Sequence, residues 1–306
     1  MILQALITAV LAIPIVLPDS AMAQDSTFNA DQNLFFKTIR ANQDESYITF
    51  SQGLGNMDPL IFEAKIAPYY LLRISKDSKW GATLTPNIII RMFAEESFPV
   101  RAPSYMPNLT FYRQLSDGIN NNNMVHYIYL KAAHHSNGQD EAFFNPDGSI
   151  NTLSGNFSTN FIELGTFFNH KFKTANNVGE FFHTSIEYHL NVARSKALEG
   201  RYSFIRWHNN FRVFKLPKNW SLSKFVTNPH FQTTIRTTWL FGEIKDAAVL
   251  NLRERFNFSV TVNYRPKALH DVSIFANYYS GEDYYNMQFA RRINVFRVGL
   301  QAYSFK

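Results

Sequence analysis

None of the 306 residues is a cysteine, so no disulfide framework holds this chain together. Charge is sparse: Asp, Glu, Lys and Arg make up 18% of the sequence. The basic residues, which leave a formal charge of +6, are scattered rather than clustered, and no nucleic-acid-binding motif is present. Nucleic acid is therefore not an expected partner; a mild attraction to anionic lipid is compatible with the charge. The Gly-x-Ser-x-Gly elbow of soluble hydrolases is missing as well. A transmembrane helix is also lacking. The apolar run from Ile2 to Leu17 is short for a span and has no Lys or Arg ahead of it. Pro18 to Ser20 break it, and Ala21-Met22-Ala23 then offers a small-x-small cleavage site. Residues 1–23 are expected to be a signal peptide and the polar stretch 24–45 a periplasmic N-terminal segment. Residues 46–306 would form a single catalytic domain that is either soluble or a β-barrel.

What is abundant decides between those two. Aromatic residues reach 16%, with 29 Phe and 15 Tyr. A barrel with an apolar exterior and a polar lumen is rich in girdle aromatics yet mildly hydrophilic on average. Segments of period-two patterning, separated by turn-formers, recur near 46–54, 61–72, 79–94, 105–116, 123–136, 158–171, 179–192, 201–214, 230–242, 250–264, 271–281 and 292–305. These predict an all-β fold, a 12-stranded antiparallel transmembrane β-barrel. The alternation is plainest late in the chain. Phe256, Phe258, Val260, Val262 and Tyr264 share one face, and Arg255, Asn257, Ser259, Thr261 and Asn263 share the other.

The stretch from Leu130 to Asn137 stands apart. Side chains two apart on a strand share a face, so His134 and Ser136 point the same way, together with Ile128, Leu130 and Ala132. Tyr127, Tyr129, Lys131 and His135 take the other face. A base and a nucleophile thus sit at the end of an apolar face, which in a barrel is the lipid face. Zinc binding by His134, His135 and Asp140 fails on geometry, because adjacent strand residues point apart. His126 shares the site's face, several residues away, and reads as a girdle residue.

His134-His135-Ser136-Asn137-Gly138 resembles the His-x-Ser-Asn-Gly motif of bacterial outer-membrane phospholipase A. Further stretches resemble that family in the same order: Pro99-Val100-Arg101, Tyr105-Met106-Pro107 with Leu109, Tyr279-Ser280-Gly281-Glu282, and Asn294 to Leu300. The resemblance implies a third site residue, an Asn on the following strand, which Ser158-Thr159-Asn160 supplies. Asn160 has the parity of Ile162, Leu164, Thr166 and Phe168, again the apolar face. It also implies calcium, on Ser97 from a partner subunit, the carbonyl of Gln139, and Asn156. The loop from Gln139 to Phe157 is longer than in the family, with an inserted turn at Asn145-Pro146-Asp147-Gly148, and the family carries Ser where Asn156 stands. Its polar dimer-interface residue has no match near Pro86.

Taken together, the expectation is a calcium-dependent hydrolase of the outer membrane, a reversible homodimer that cleaves sn-1 or sn-2 acyl esters of phospholipids. Two alternatives stay open: a non-catalytic pore, and a hydrolase of lipopolysaccharide acyl esters.

Overall fold

The computed structural model describes residues 38–302, other than 41, 55, 74–77, 98, 118–123, 172–177, 214–230, 245–246, 267–268 and 270–271. The expected signal peptide and most of the 24–45 segment lie outside the described residues. The strand segments are β1 (Tyr47–Thr49), β2 (Leu60–Ile66), β3 (Tyr70–Leu72), β4 (Trp80–Thr85), β5 (Ile88–Phe93), β6 (Ser104–Tyr105), β7 (Asn108–Asp117), β8 (Met124–Ser136), β9 (Ser158–Lys171), β10 (Val178–Leu190), β11 (Ile205–Val213), β12 (Phe231–Phe241), β13 (Phe256–Tyr264), β14 (Val272–Glu282) and β15 (Arg292–Ala302).

All pairings between these strands are antiparallel. The order runs β3-β4-β7-β8-β6-β5-β2-β1-β15-β14-β13-β12-β11-β10-β9, and pairing of β8 with β9 closes the ring. The fifteen segments make twelve staves, as the sequence predicts, because three staves are interrupted. The breaks fall at Pro68, at Pro86-Asn87 and at Met106-Pro107. Proline has no N–H to give a ladder, so each break is a place where a neighbour loses its partner. The third break touches the site strand: the amide of His134 donates to the carbonyl of Pro107 at 3.1 Å.

The side-chain alternation follows the sequence pattern. On β9, Leu164 points outward and is 63% exposed, while its neighbour Glu163 points inward and is 5% exposed. Ile128, Leu130 and Ile162 are likewise exposed, and Tyr127 and Tyr129 are buried. A continuous apolar exterior on a closed barrel is the surface a bilayer requires, since closure leaves no unpaired strand edge.

The lumen is filled by charge in pairs. Arg91, wholly buried, bonds Glu63 at 2.5 Å and Asp283 at 2.8 Å. Lys131 bonds Glu163 at 2.7 Å and Arg297 bonds Asp58 at 2.6 Å. Such pairs add little net stability, but removing one partner strands a buried charge at a cost of about 3–5 kcal/mol.

The described end of the 24–45 segment runs inside the barrel. Ile39 is wholly buried among Tyr112, Val125, Tyr127 and Phe167 on the inner faces of β7, β8 and β9. Burying that side chain contributes about 1.5–3 kcal/mol. At the opposite end, which carries the loops after β8, β10 and β14, a second apolar cluster joins Phe143, Phe157, Leu198, Tyr202, Met287 and Phe289. It packs the loops 137–157, 191–204 and 283–291 against one another.

Candidate functional site

His134 and Ser136 lie on the outer face of β8 near its end, both half-buried. Ser136 is paired in register with Tyr105 of β6 on one side and Ser158 of β9 on the other. His134 is paired with Asn160 of β9. Directly opposed residues of an antiparallel pair have side chains within reach of each other, and here Nδ1 of His134 lies 2.9 Å from Oδ1 of Asn160. The structure therefore joins His134 to Asn160 and places Ser136 on the same outward face, and among the described residues no hydrogen bond links Ser136 to His134.

The tautomer of His134 follows from what Asn160 does with its other end. The Asn160 amide nitrogen donates to the carbonyl of Val192 at 2.8 Å. A carbonyl can only accept, so the amide is oriented with its oxygen toward the imidazole. Nδ1 of His134 must then carry the proton and donate it to Asn160. In the neutral ring this leaves the lone pair on Nε2, the nitrogen free to take a proton from a hydroxyl. Asn160 orients the ring without adding a charge on the lipid side, where an unpaired carboxylate is costly.

Loop 191–204 holds this arrangement in place with backbone groups. Besides the Val192 carbonyl, Ala193 accepts from the hydroxyl of Ser158 at 3.1 Å, and the Ser195 amide donates to the Ser158 carbonyl at 2.9 Å. Ala193 takes a left-handed backbone, with φ of 50°, to make the turn. None of this was legible in the sequence, since main-chain acceptors carry no residue signature.

The residues expected at a calcium site are placed less tightly. Asn137 is buried at the neck of loop 137–157. Its side chain donates to the Gly155 carbonyl at 2.8 Å and accepts from the amides of Phe157 at 3.0 Å and Gln139 at 3.3 Å. The Asn156 amide donates to the Glu141 carbonyl at 3.0 Å. Gln139 and Asn156 thus flank one clamp at the base of the same loop. Ser97 is exposed on a different loop, 94–103, and among the described residues no hydrogen bond links it to them. Among the described residues no group of three or more His, Cys, Asp or Glu is placed to hold a metal. The expected donors are instead a carbonyl, an amide and a hydroxyl, all hard oxygens suited to calcium, with exposed Asp140 and Glu141 on the same loop neck.

A hydroxyl-imidazole-carboxylate chain lies behind the site, on the inner face. The Thr159 hydroxyl is 2.9 Å from Nδ1 of His189, and Nε2 of His189 is 2.8 Å from Glu187. Thr159 is 0% and His189 1% exposed, so no ester can reach them. His135 is buried there too, packed on Phe157. His126 stacks on Phe168 with ring centroids 4.2 Å apart and lies 2.7 Å from the Thr166 hydroxyl, away from the site.

No family profile and no characterised protein matches the sequence. Solved structures do match the fold. Outer-membrane phospholipase A from Escherichia coli aligns with a TM-score of 0.56 at 10% identity, over 88% of this chain and 97% of that one. The Salmonella typhi outer-membrane phospholipase, solved as a dimer with bound calcium, aligns with a TM-score of 0.55 at 10% identity, over 85% of this chain and 90% of that one. This chain is thus a closed twelve-stranded β-barrel with the fold of outer-membrane phospholipase A.

Proposed function

We propose that the chain is an outer-membrane lipid-ester hydrolase, a calcium-dependent phospholipase A acting from the outside of its own barrel. The observation that carries this reading is the 2.9 Å contact between His134 and Asn160 on the lipid side, with Ser136 two residues along the same strand. A pore has no use for an oriented imidazole facing lipid. The pore reading is further disfavoured by a lumen occupied at one end by residues 38–40 and 42–45 and covered at the other by the Phe143–Phe289 cluster.

In the proposed mechanism the Ser136 hydroxyl attacks the carbonyl carbon of an sn-1 or sn-2 ester while Nε2 of His134 takes its proton. Asn160 keeps the resulting imidazolium in line through Nδ1. Collapse of the tetrahedral intermediate breaks the bond to the glycerol oxygen, which takes the proton back from His134 and leaves as a lysophospholipid. The acyl group remains on Ser136. Water, deprotonated by the same Nε2, then releases the fatty acid and restores Ser136. Calcium, held by the Gln139 carbonyl and Asn156 of one chain with Ser97 of a second, would supply positive charge for the oxyanion. Dimerisation through the lipid-facing surfaces would complete the donor set and create a cleft for the acyl chain.

Mass spectrometry of products from defined phospholipids, with and without calcium, tests this. Lysophospholipid and free fatty acid in equal amounts are expected. Release of acyl chains from lipopolysaccharide alone would transfer the same chemistry to the alternative substrate.

A further inference from the structure

The described residues from Thr38 to Glu45 touch three parts of the barrel wall, β7–β9, β2 and β11–β12. Ile39 packs against the inner faces of β7, β8 and β9, the wall whose outer face carries His134 and Asn160. The Gln43 amide donates to the Tyr112 hydroxyl at 2.8 Å on that same wall. Asp44 turns toward β2 and pairs with Lys65 at 3.0 Å. Glu45 reaches the wall beyond β10 and accepts from Arg212 of β11 at 2.6 Å and from Arg236 of β12 at 2.7 Å. Thr38, Ile39, Gln43 and Glu45 are all buried.

The open space inside the barrel is arranged around this segment. One cavity of about 290 Å³ is lined by Asn42, Gln43 and Asp44 together with Lys131, Asn210 and Arg212. A second, of about 390 Å³, is lined by Asp44 and Glu45 together with Lys65, Arg206 and Arg297. Asp44 borders both, so the segment is part of the partition between them. Both cavities are walled by charged groups and would hold water. The segment enters from the end where β1 begins and β15 finishes, and the aromatic cluster covers the other mouth.

We propose that residues 38–40 and 42–45 belong to an internal strap that closes the lumen from the end at which the barrel's first and last strands begin and finish, so that the barrel conducts no solute while its chemistry is done on the outside. The strap is self-supplied: its two carboxylates answer three cations on the barrel wall that would otherwise face an open aqueous channel. Its apolar end takes the place of solvent behind the site strands. An enzyme built on the outer surface of a barrel has no need of its inside, and an open inside would leak.

The chain's freedom from cysteine makes the test direct. Asn210→Cys places one thiol on the wall of the first cavity, and its rate of reaction with a charged, water-soluble methanethiosulfonate is measured in the folded, detergent-solubilised protein. With the strap intact the thiol reacts slowly. In the Glu45→Gln background, which releases Arg212 and Arg236, the rate rises at least about tenfold as the strap opens locally. Equal rates in the two backgrounds overturn the proposal, and so does a thiol that already reacts at the unfolded-chain rate with the strap intact. Folding is checked by heat-dependent gel mobility. If Glu45→Gln does not fold, Gln43→Ala, which removes one neutral hydrogen bond, is read by the same two criteria. Hydrolysis is not measured, so the result stands apart from the ester-hydrolase reading.

Discussion

Oδ1 of Asn160 stands 2.9 Å from Nδ1 of His134 across a directly registered pair of β8 and β9. Because the amide nitrogen of Asn160 is committed to the Val192 carbonyl, the contact has a fixed polarity. In the proposed mechanism Asn160 acts only on the ring's orientation, whereas His134 carries the proton. Asn160→Ala is therefore expected to lower kcat much less than His134→Ala, since an unoriented base still finds the nucleophile part of the time. Steady-state rates on a purified ester substrate check this. Equal losses from the two changes would mean that Asn160 does more than orient.

The alternation of faces gives a second prediction. Single cysteines at Ile128, Leu130, Ile162 and Leu164 are expected to react with a lipid-soluble thiol reagent in bilayers. Those at Tyr129, Lys131 and Glu163 are expected to be shielded from it. Equal labelling at both sets would contradict a barrel with its apolar face in lipid.

Calcium and assembly are coupled in the proposed site because Ser97 would come from a second chain, as the family resemblance implies. A chelator is expected to lower the rate and the crosslinked dimer fraction together. Loss of oxyanion stabilisation typically costs about 10²–10³ in rate. Ser97→Ala is expected to weaken the calcium dependence and leave the heat-dependent gel shift unchanged. Full activity from a crosslink-proven monomer in chelator would remove calcium and dimerisation from the account and leave the hydrolase reading standing.

Much of this molecule was legible in its sequence, for a physical reason. A barrel wall has period-two alternation, and a side chain's parity fixes its face. Twelve staves and the outward pair His134 and Ser136 follow from that rule; Asn160 comes from the family resemblance, and its parity then puts it on the same face. The inner strap did not follow. Residues 24–45 read as polar and irregular, and the partners of Glu45 lie 167 and 191 residues away, beyond any local pattern. The Phe143–Phe289 cluster escaped for a related reason. Its residues sit in loops, where apolar side chains have no period to reveal them, and only the closed ring brings the loops together. The Thr159–His189–Glu187 chain was missed because its Thr lies on β9 and its His and Glu on β10, with no motif to link the two strands.

The strap carries a pH dependence of known sign. Lys65 holds the Asp44 carboxyl well below the usual carboxylate range. Burial pushes Glu45 up, but Arg236 and Arg212, with Lys65 beyond them, outweigh both that burial and the repulsion of Asp44, and leave it lowered. A carboxylate with a depressed folded value contributes stability above its unfolded value, near about 4, and loses it as pH falls toward the folded one. Glu45→Gln mimics the protonated side chain. The gap in thermal unfolding midpoint between the parent and Glu45→Gln is expected to be widest at neutral pH and to narrow below about pH 4. A gap independent of pH would mean that the Glu45 charge does not hold the strap.

The most direct measurement of the central claim is turnover of a purified phospholipid by the folded Ser136→Ala variant. Its barrel is expected to keep the heat-dependent gel shift, since Ser136 is an outward side chain at the end of β8 and has no side-chain hydrogen bond among the described residues. Hydrolysis is expected to fall to the uncatalysed background, and a sulfonyl fluoride that modifies the parent at a single serine should leave the variant unlabelled. Near-normal turnover by folded Ser136→Ala, or a sulfonyl adduct on another residue, would contradict the assignment of Ser136 as the nucleophile.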